Sequence, residues 1–260
     1  MKALKAMFSF FTMLRLDIDE DDMAAMDRSF HLVPIIGLFY GILAYLSMSA
    51  LGVFLDSFTS AALTLFLVSL MNRFLHLDGV MDIGDGLVVS GGREDHLRAL
   101  KDSRIGAGGV AFAVFAILLA VGSWSALAAS GLLLAILLGE VYARNASVAA
   151  AAFGSPGPGM AGESVRLTSA ASLVKSLVIC VIITAPLLAL AVMFGGWTIM
   201  ESVTLTLVMA ALSVFSGLVM SSIAERNFGM VNGDVLGATN ELTRSLLAIA
   251  SLAVFSWMFW

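Results

Sequence analysis

Seven apolar runs dominate this 260-residue chain, at about 32–55, 58–75, 109–128, 131–153, 173–194, 199–221 and 236–259. Each approaches the roughly 20 residues that cross a bilayer as a helix. No soluble core could hide so much apolar surface. With 60% hydrophobic and only 13% charged residues, the chain reads as an all-α, polytopic membrane protein of about seven spans. The alternating polar-in pattern of a membrane β-barrel is absent. The whole of 1–260 is expected to form one membrane domain, with its chemistry on a single polar face. The lone cysteine, Cys180, lies inside an apolar run and reads as a small core residue.

Basic residues give the orientation. The short connections (55–57, 129–130, 195–197) contain no Lys or Arg, and Asp56 and Glu201 are the only charges at that side. All 14 Lys and Arg residues fall at the N-terminus, in the long connections 76–108, 154–172 and 222–235, or near the adjoining span ends. Basic loops remain cytoplasmic. The N-terminus is therefore placed inside, the C-terminus outside, and the long polar connections together on the cytoplasmic face of a cell (inner) membrane.

Residues 1–28 read as an interfacial helix followed by an acidic loop. Lys2, Lys5 and Arg15 are expected to face anionic headgroups, and Asp17, Asp19, Glu20, Asp21 and Asp22 are expected to be solvated. A cleavable signal is not expected, because this acidic stretch stands where a small-residue cleavage site would be.

The most informative residues open the first long connection: His76-Leu77-Asp78-Gly79-Val80-Met81-Asp82-Ile83-Gly84-Asp85-Gly86-Leu87. Carboxylates beside hydrocarbon are costly and mark functional sites. Asp78, Asp82 and Asp85 stand at i, i+4 and i+7, so a helix would gather them on one face, where they repel unless a cation lies between them. Hard oxygen ligands of this kind suit Mg²⁺ or Mn²⁺. His76 reads as a second ligand, an orienting group or a satisfied interfacial histidine.

Two further elements fit phosphoryl transfer. Residues 93–104 read as a short polar helix leading to Lys101, Asp102 and Arg104, where the cations would hold departing phosphates or simply anchor the loop. Asn232-Gly233-Asp234 precedes the last span, where an opening helix offers free N–H groups to phosphate oxygens. Asp82, Asp85 or Asp234 would accept the proton of an attacking hydroxyl; Asp234 also fits a helix N-cap. Glu140 and Arg144 sit i, i+4 within the fourth span. Their spacing fits mutual neutralisation, while Arg144 would otherwise face a cavity as a ligand contact. The glycine- and proline-rich 154–159 reads as a turn or lid.

These motifs resemble those of the cobalamin synthases, the adenosylcobinamide-GDP ribazoletransferases. His76 to Gly86 is similar to that family's His-Leu-Asp-Gly-x-x-Asp-x-x-Asp-Gly signature. Leu100-Lys-Asp-Ser-Arg-Ile-Gly106 and Asn232-Gly-Asp-Val-Leu-Gly-Ala238 resemble its later elements, and the motif order and length agree along nearly the whole chain. Leu100 stands where the family usually has methionine. The resemblance implies a Mg²⁺-dependent transferase joining adenosylcobinamide-GDP to α-ribazole or its 5′-phosphate, with GMP leaving. It implies metal, one ion or two, on Asp78, Asp82 and Asp85. It also implies substrate contacts among His76, Lys101, Asp102, Arg104, Arg144, Asn232 and Gly233. Partners would be the bilayer, a second copy of the chain and other cobalamin-assembly enzymes; no nucleic acid is expected.

Two rival classes fit less well. A CDP-alcohol phosphotransferase also uses membrane-edge aspartates, but its Asp-x-x-Asp-Gly-x-x-Ala-Arg order is missing. A transporter would place charges near the midplane in repeated halves, whereas here Glu140 and Arg144 read as the one charged pair inside a span.

Overall fold

A computed structural model describes residues 1–258, and among them the chain is all-helical. Two short helices, α1 (Lys2–Phe11) and α2 (Glu20–Arg28), and a 3-10 turn (Phe30–Leu32) precede α3 (Pro34–Leu51). Then follow α4 (Ser57–Met71), α5 (Leu75–Val88), α6 (Arg93–Leu100), α7 (Ala107–Ala129) and α8 (Leu133–Phe153). The chain ends with α9 (Met160–Leu167), α10 (Ala170–Phe194), α11 (Ile199–Asn227) and α12 (Gly233–Met258).

Helix α8 is the axis of the bundle. Its central window is 89% buried, against 22–44% for the other apolar helices of spanning length. Small residues permit this, since without a hydrophobic drive between helices in lipid, association depends on close backbone approach. A Cβ on Gly37 of α3 would lie 2.6 Å from the Glu140 carbonyl oxygen, and one on Gly217 of α11 would lie 2.5 Å from that of Ala146. Both glycines are required by the packing.

The expectation of seven spans is met only in part. Among the described residues, five helices are long and apolar enough to cross a membrane: Phe30–Leu51, Ala107–Ala129, Leu133–Phe153, Ala170–Phe194 and Ile199–Asn227. The second expected span, α4, qualifies only together with α5, from which it is bent by 93°. The last, α12, carries Thr239, Asn240, Glu241, Thr243 and Arg244 along its first half, and all five are buried. It nevertheless traverses the bundle. Its first turn abuts α5 through Asp234, and near its far end the Phe255 ring lies 4.6 Å from that of Trp197 at the α10–α11 turn.

The short connections gather opposite the polar face. Residues from Met48 to Ser60 share a cavity wall with Ala128 and Leu133, and Ser130 to Leu132 share another with Gly195 to Trp197. The bend at the polar end is made by Arg73 and Phe74, both in the left-handed region at φ 58°. Neither is glycine, so the backbone there is strained. Arg73 is held by donating to the carbonyls of Ser9 (3.2 Å) and Phe10 (2.8 Å) at the end of α1.

The N-terminal expectation needs correction. The acidic stretch is not simply a loop: Asp19 and Asp22 form a reciprocal capping box that opens α2. Lys2 and Lys5 pair with Asp21 (3.0 Å) and Asp22 (2.8 Å). They tie α1 to α2.

Candidate active site

The polar connection 76–108 begins as helix, so the aspartate signature is displayed from α5. Asp78 is exposed, Asp82 and Asp85 are half-buried, and Gly79, Val80, Ile83 and Gly84 form the buried side. Glycines bring neighbouring helices to this face. A Cβ on Gly79 would lie 2.6 Å from the Asp234 carbonyl oxygen, and one on Gly108 would lie 2.8 Å from that of Gly84. Thus α7 and α12 flank α5, and α12 delivers Asp234 beside Asp78 and Asp82.

Asn232 sets the start of α12. Its Oδ1 accepts from the Val235 N–H at 3.1 Å, which makes Asn232, not Asp234, the capping side chain. Its Nδ2 donates to Asp234 Oδ2 at 2.7 Å and fixes that carboxylate. Gly233 is exposed beside it. Asp85 is engaged elsewhere. Its two oxygens accept from Gly106 (2.7 Å) and Gly109 (2.8 Å), so it caps the start of α7.

None of Asp78, Asp82, Asp85 or Asp234 pairs with a Lys or Arg among the described residues. Asp82 and Asp234 lie on the polar face, outside the five apolar spans. Burial, then the charges of Asp234, Asp78 and Asp85, push Asp82 up to about 7. Burial also raises Asp234, opposed by the Asn232 hydrogen bond and reinforced by Asp78. Such uncompensated carboxylates fit a cation. No three Asp, Glu, His or Cys side chains among the described residues converge as a finished metal cage. Mg²⁺ is usually held by one or two carboxylates with substrate phosphates completing the shell, and the donor set suits that mode.

Lys101, Asp102 and Arg104 lie exposed between α6 and α7. Arg104 forms a two-pronged pair with Asp102, Nε to Oδ1 at 3.2 Å and Nη2 to Oδ2 at 3.0 Å. Two residues on, Gly106 binds Asp85, so this basic turn leads directly into the carboxylate face.

Beneath that face lies a charged network, and here the sequence reading is corrected. Glu140 does not neutralise Arg144. It takes Arg244, through Nε and through Nη2 at 3.1 Å, while Arg244 Nη1 also holds Glu241 at 2.6 Å. Glu140 and Arg144 are therefore not the one charged pair within a span, and Arg244 is buried inside α12 instead of flanking a loop. Arg144 donates from Nη1 to His76 Nε2 at 2.9 Å. His76 Nδ1 lies 3.5 Å from Glu241 Oε1, without the alignment of a hydrogen bond. The participation of Glu241 was missed by sequence reasoning. Its i, i+3 spacing to Arg244 was the available signal.

A cavity of about 280 Å³ adjoins this network and the carboxylate face. His76, Arg144, Asn232, Gly233 and Asp234 line its polar side. The 154–159 segment closes one edge: Val231 N–H donates to the Ser155 carbonyl (2.7 Å) and Gly157 N–H to that of Val231 (2.9 Å). The turn is thus tied to the residues that open α12.

Comparison with known proteins points to one family. The family described as cobalamin-5-phosphate synthase matches residues 3–252. An adenosylcobinamide-GDP ribazoletransferase of Methanocella arvoryzae is 32% identical over 266 residues, covering 100% of this chain and 97% of the relative. One from Brevibacillus brevis is 30% identical over 257 residues, covering 99% of each chain. One from Methanococcoides burtonii is 29% identical, covering 99% of this chain and 97% of the relative. No solved structure matches.

Proposed function

The chain belongs to the cobalamin-5-phosphate synthase family, and from that premise we propose that it joins adenosylcobinamide-GDP to α-ribazole or its 5′-phosphate. A hydroxyl of the ribazole attacks the phosphorus bonded to the cobinamide arm. A new P–O bond forms there, the pyrophosphate bond breaks, and GMP leaves with the electron pair. The observation that carries the reading is the meeting of Asp78 and Asp82 on α5 with Asp234 on α12, on one polar face and without a cationic partner.

Asp234 is the proton acceptor in this account. Asn232 holds one of its oxygens, burial raises its basicity, and it borders the cavity. Proton transfer by a positioned carboxylate whose pKa approaches the working pH is the usual form of such catalysis. Lys101 and Arg104 would meet the departing GMP phosphate, Arg104 exchanging Asp102 for phosphate oxygens.

Asp78 and Asp82, with Asp85 behind them, would hold Mg²⁺ or Mn²⁺. That ion supplies neutralisation of charge on the pyrophosphate oxygens when bound. Asp85, anchored to α7, fixes the register of α5 against α7. Positioning and charge neutralisation supply most of what phosphoryl transfer needs.

The basic connections favour a cytoplasmic face for this site, with the N-terminus on that side of a cell (inner) membrane and the C-terminus outside. A soluble nucleotide donor and a large corrin then reach the site from one compartment. A homo-oligomer and contacts with other cobalamin-assembly enzymes fit the same arrangement.

The test is transfer by purified protein in liposomes with Mg²⁺ and both substrates, beside an Asp82→Asn variant. The reading expects corrinoid product from the wild type, abolished by chelator and by the substitution. Unchanged turnover in well-folded Asp82→Asn would refute the role given to the carboxylate face.

A further inference from the structure

The cavity behind Asp234 has a mixed lining. Phe10, Phe11, Met26 and Phe30 line it together with His76, Arg144 and Asp234, and the Phe11 ring lies against both Arg144 and His76. Its volume of about 280 Å³ lies just below the usual range of small-ligand sites. Arg144 is the feature that the catalytic account does not use.

The Arg144 guanidinium is 1% exposed and has no carboxylate partner. The Phe11 and Tyr40 rings lie near it, with centroids 5.6 and 5.1 Å away, and His76 takes Nη1. Nε and Nη2 have no partner within the protein. These two nitrogens share one edge of the guanidinium. In this same protein that edge grips a carboxylate two-pronged at both Arg244 and Arg104. At Arg144 the edge is unused. A buried donor left unmatched costs about 1–3 kcal/mol, and more for a charged group, so an unused fork at a cavity wall marks a place for an oxyanion.

Resting on the ribazoletransferase reading, we propose that this cavity is the acceptor seat and that Arg144 reads a phosphomonoester on the acceptor. The aromatic and methionine side chains take an apolar bicyclic base, and the Nε and Nη2 edge takes two phosphate oxygens. The ribose then lies between them, near Asp234. The guanine of the donor, with its polar edge, is poorly matched to these phenylalanines. Nε and Nη2 are sealed from solvent in this state, so seating the phosphate entails a local opening around Arg144. Arg144 is thus a specificity residue that separates α-ribazole 5′-phosphate from α-ribazole.

The experiment has a turnover arm and a binding arm. In turnover, Arg144→Gln is compared with wild type for both acceptors. The expected result is a KM for α-ribazole 5′-phosphate raised at least tenfold, with the KM for α-ribazole and for adenosylcobinamide-GDP within twofold of wild type. Equal rises for both acceptors, or a rise for the donor alone, would overturn the proposal. Should Arg144→Gln fail to fold, Ala161→Trp, on α9 at the cavity wall, fills the seat and leaves the buried charges in place. It is expected to weaken both acceptors and spare the donor, and an unchanged acceptor KM overturns the proposal equally. The binding arm uses calorimetry of α-ribazole 5′-phosphate and of α-ribazole with wild-type protein in detergent. Tighter binding of the phosphate form supports the seat even if no transfer occurs, which separates this inference from the reading it rests on. Equal binding of the two forms overturns it.

Discussion

Gly79 of α5 touches the backbone of Asp234 at the start of α12 so closely that a methyl group there would lie 2.6 Å from the Asp234 carbonyl. This contact sets the spacing between the aspartate helix and the proposed proton acceptor. Gly79→Ala must push the two helices apart, because the obstacle is backbone and cannot rotate away. Overpacking of this kind costs about 1–3 kcal/mol, and a displacement near 1 Å at a reacting group costs on the order of 100-fold in rate. Thermal unfolding in detergent and the transfer rate check the two effects separately. A Gly79→Ala enzyme with wild-type rate would show that the contact does not set the site.

Metal binding should depend on pH through Asp82. With its pKa raised to about 7 by burial and the surrounding carboxylates, Asp82 is largely protonated in mildly acid solution. A cation must displace that proton. Apparent Mg²⁺ affinity therefore climbs by up to roughly tenfold per unit as pH rises towards 7, then flattens above it. Calorimetric titration from pH 5.5 to pH 8.5 checks the sign. Affinity that falls as pH rises, or shows no change, would contradict it.

The buried Arg244 joins Glu140 and Glu241 in one network. Removing it leaves two buried carboxylates unmatched, and breaking such a pair from one side costs about 3–5 kcal/mol. Arg244→Met should unfold at much lower temperature than wild type. Glu140→Gln should be milder, because Glu241 still holds Arg244. Equal stability of all three proteins would show that the network is not structural.

Asp85 offers a finer test, since its oxygens are committed to Gly106 and Gly109. Asp85→Ala should cost about 1–2 kcal/mol through loss of a helix cap and speed hydrogen exchange at those two amides. Asp85→Asn keeps one acceptor oxygen and should protect one of them. Unaltered exchange in both variants would contradict the capping role.

The chemistry in this chain was more legible than its packing. The i, i+4, i+7 spacing of Asp78, Asp82 and Asp85 already implied one helix face, and Asn232-Gly233-Asp234 already read as the opening of the last helix. Both are local patterns, although the glycine that lets α5 approach Asp234 is Gly79 of the aspartate signature itself. Three other features were not local. The break at Arg73 and Phe74 lacks the glycine that normally announces a left-handed turn. The Glu140–Arg244 pair joins residues 104 positions apart, so the nearer Arg144 looked like the partner. Averaged hydropathy made 236–259 resemble a plain span, although α12 buries its polar side against α5, α7, α8 and α11. Likewise, the pairing of Lys2 with Asp21 and Lys5 with Asp22 joins residues 19 and 17 positions apart, which the reading of an acidic loop did not anticipate.

The most direct test of the central claim is the dependence of GMP release on both substrates together. Purified protein in liposomes with Mg²⁺ would be given adenosylcobinamide-GDP, with and without α-ribazole 5′-phosphate, and GMP and corrinoid product quantified in the same samples. The account predicts GMP only when the acceptor is present, one molecule for each corrinoid joined. GMP released at the same rate without acceptor, or no GMP from folded protein, would contradict it.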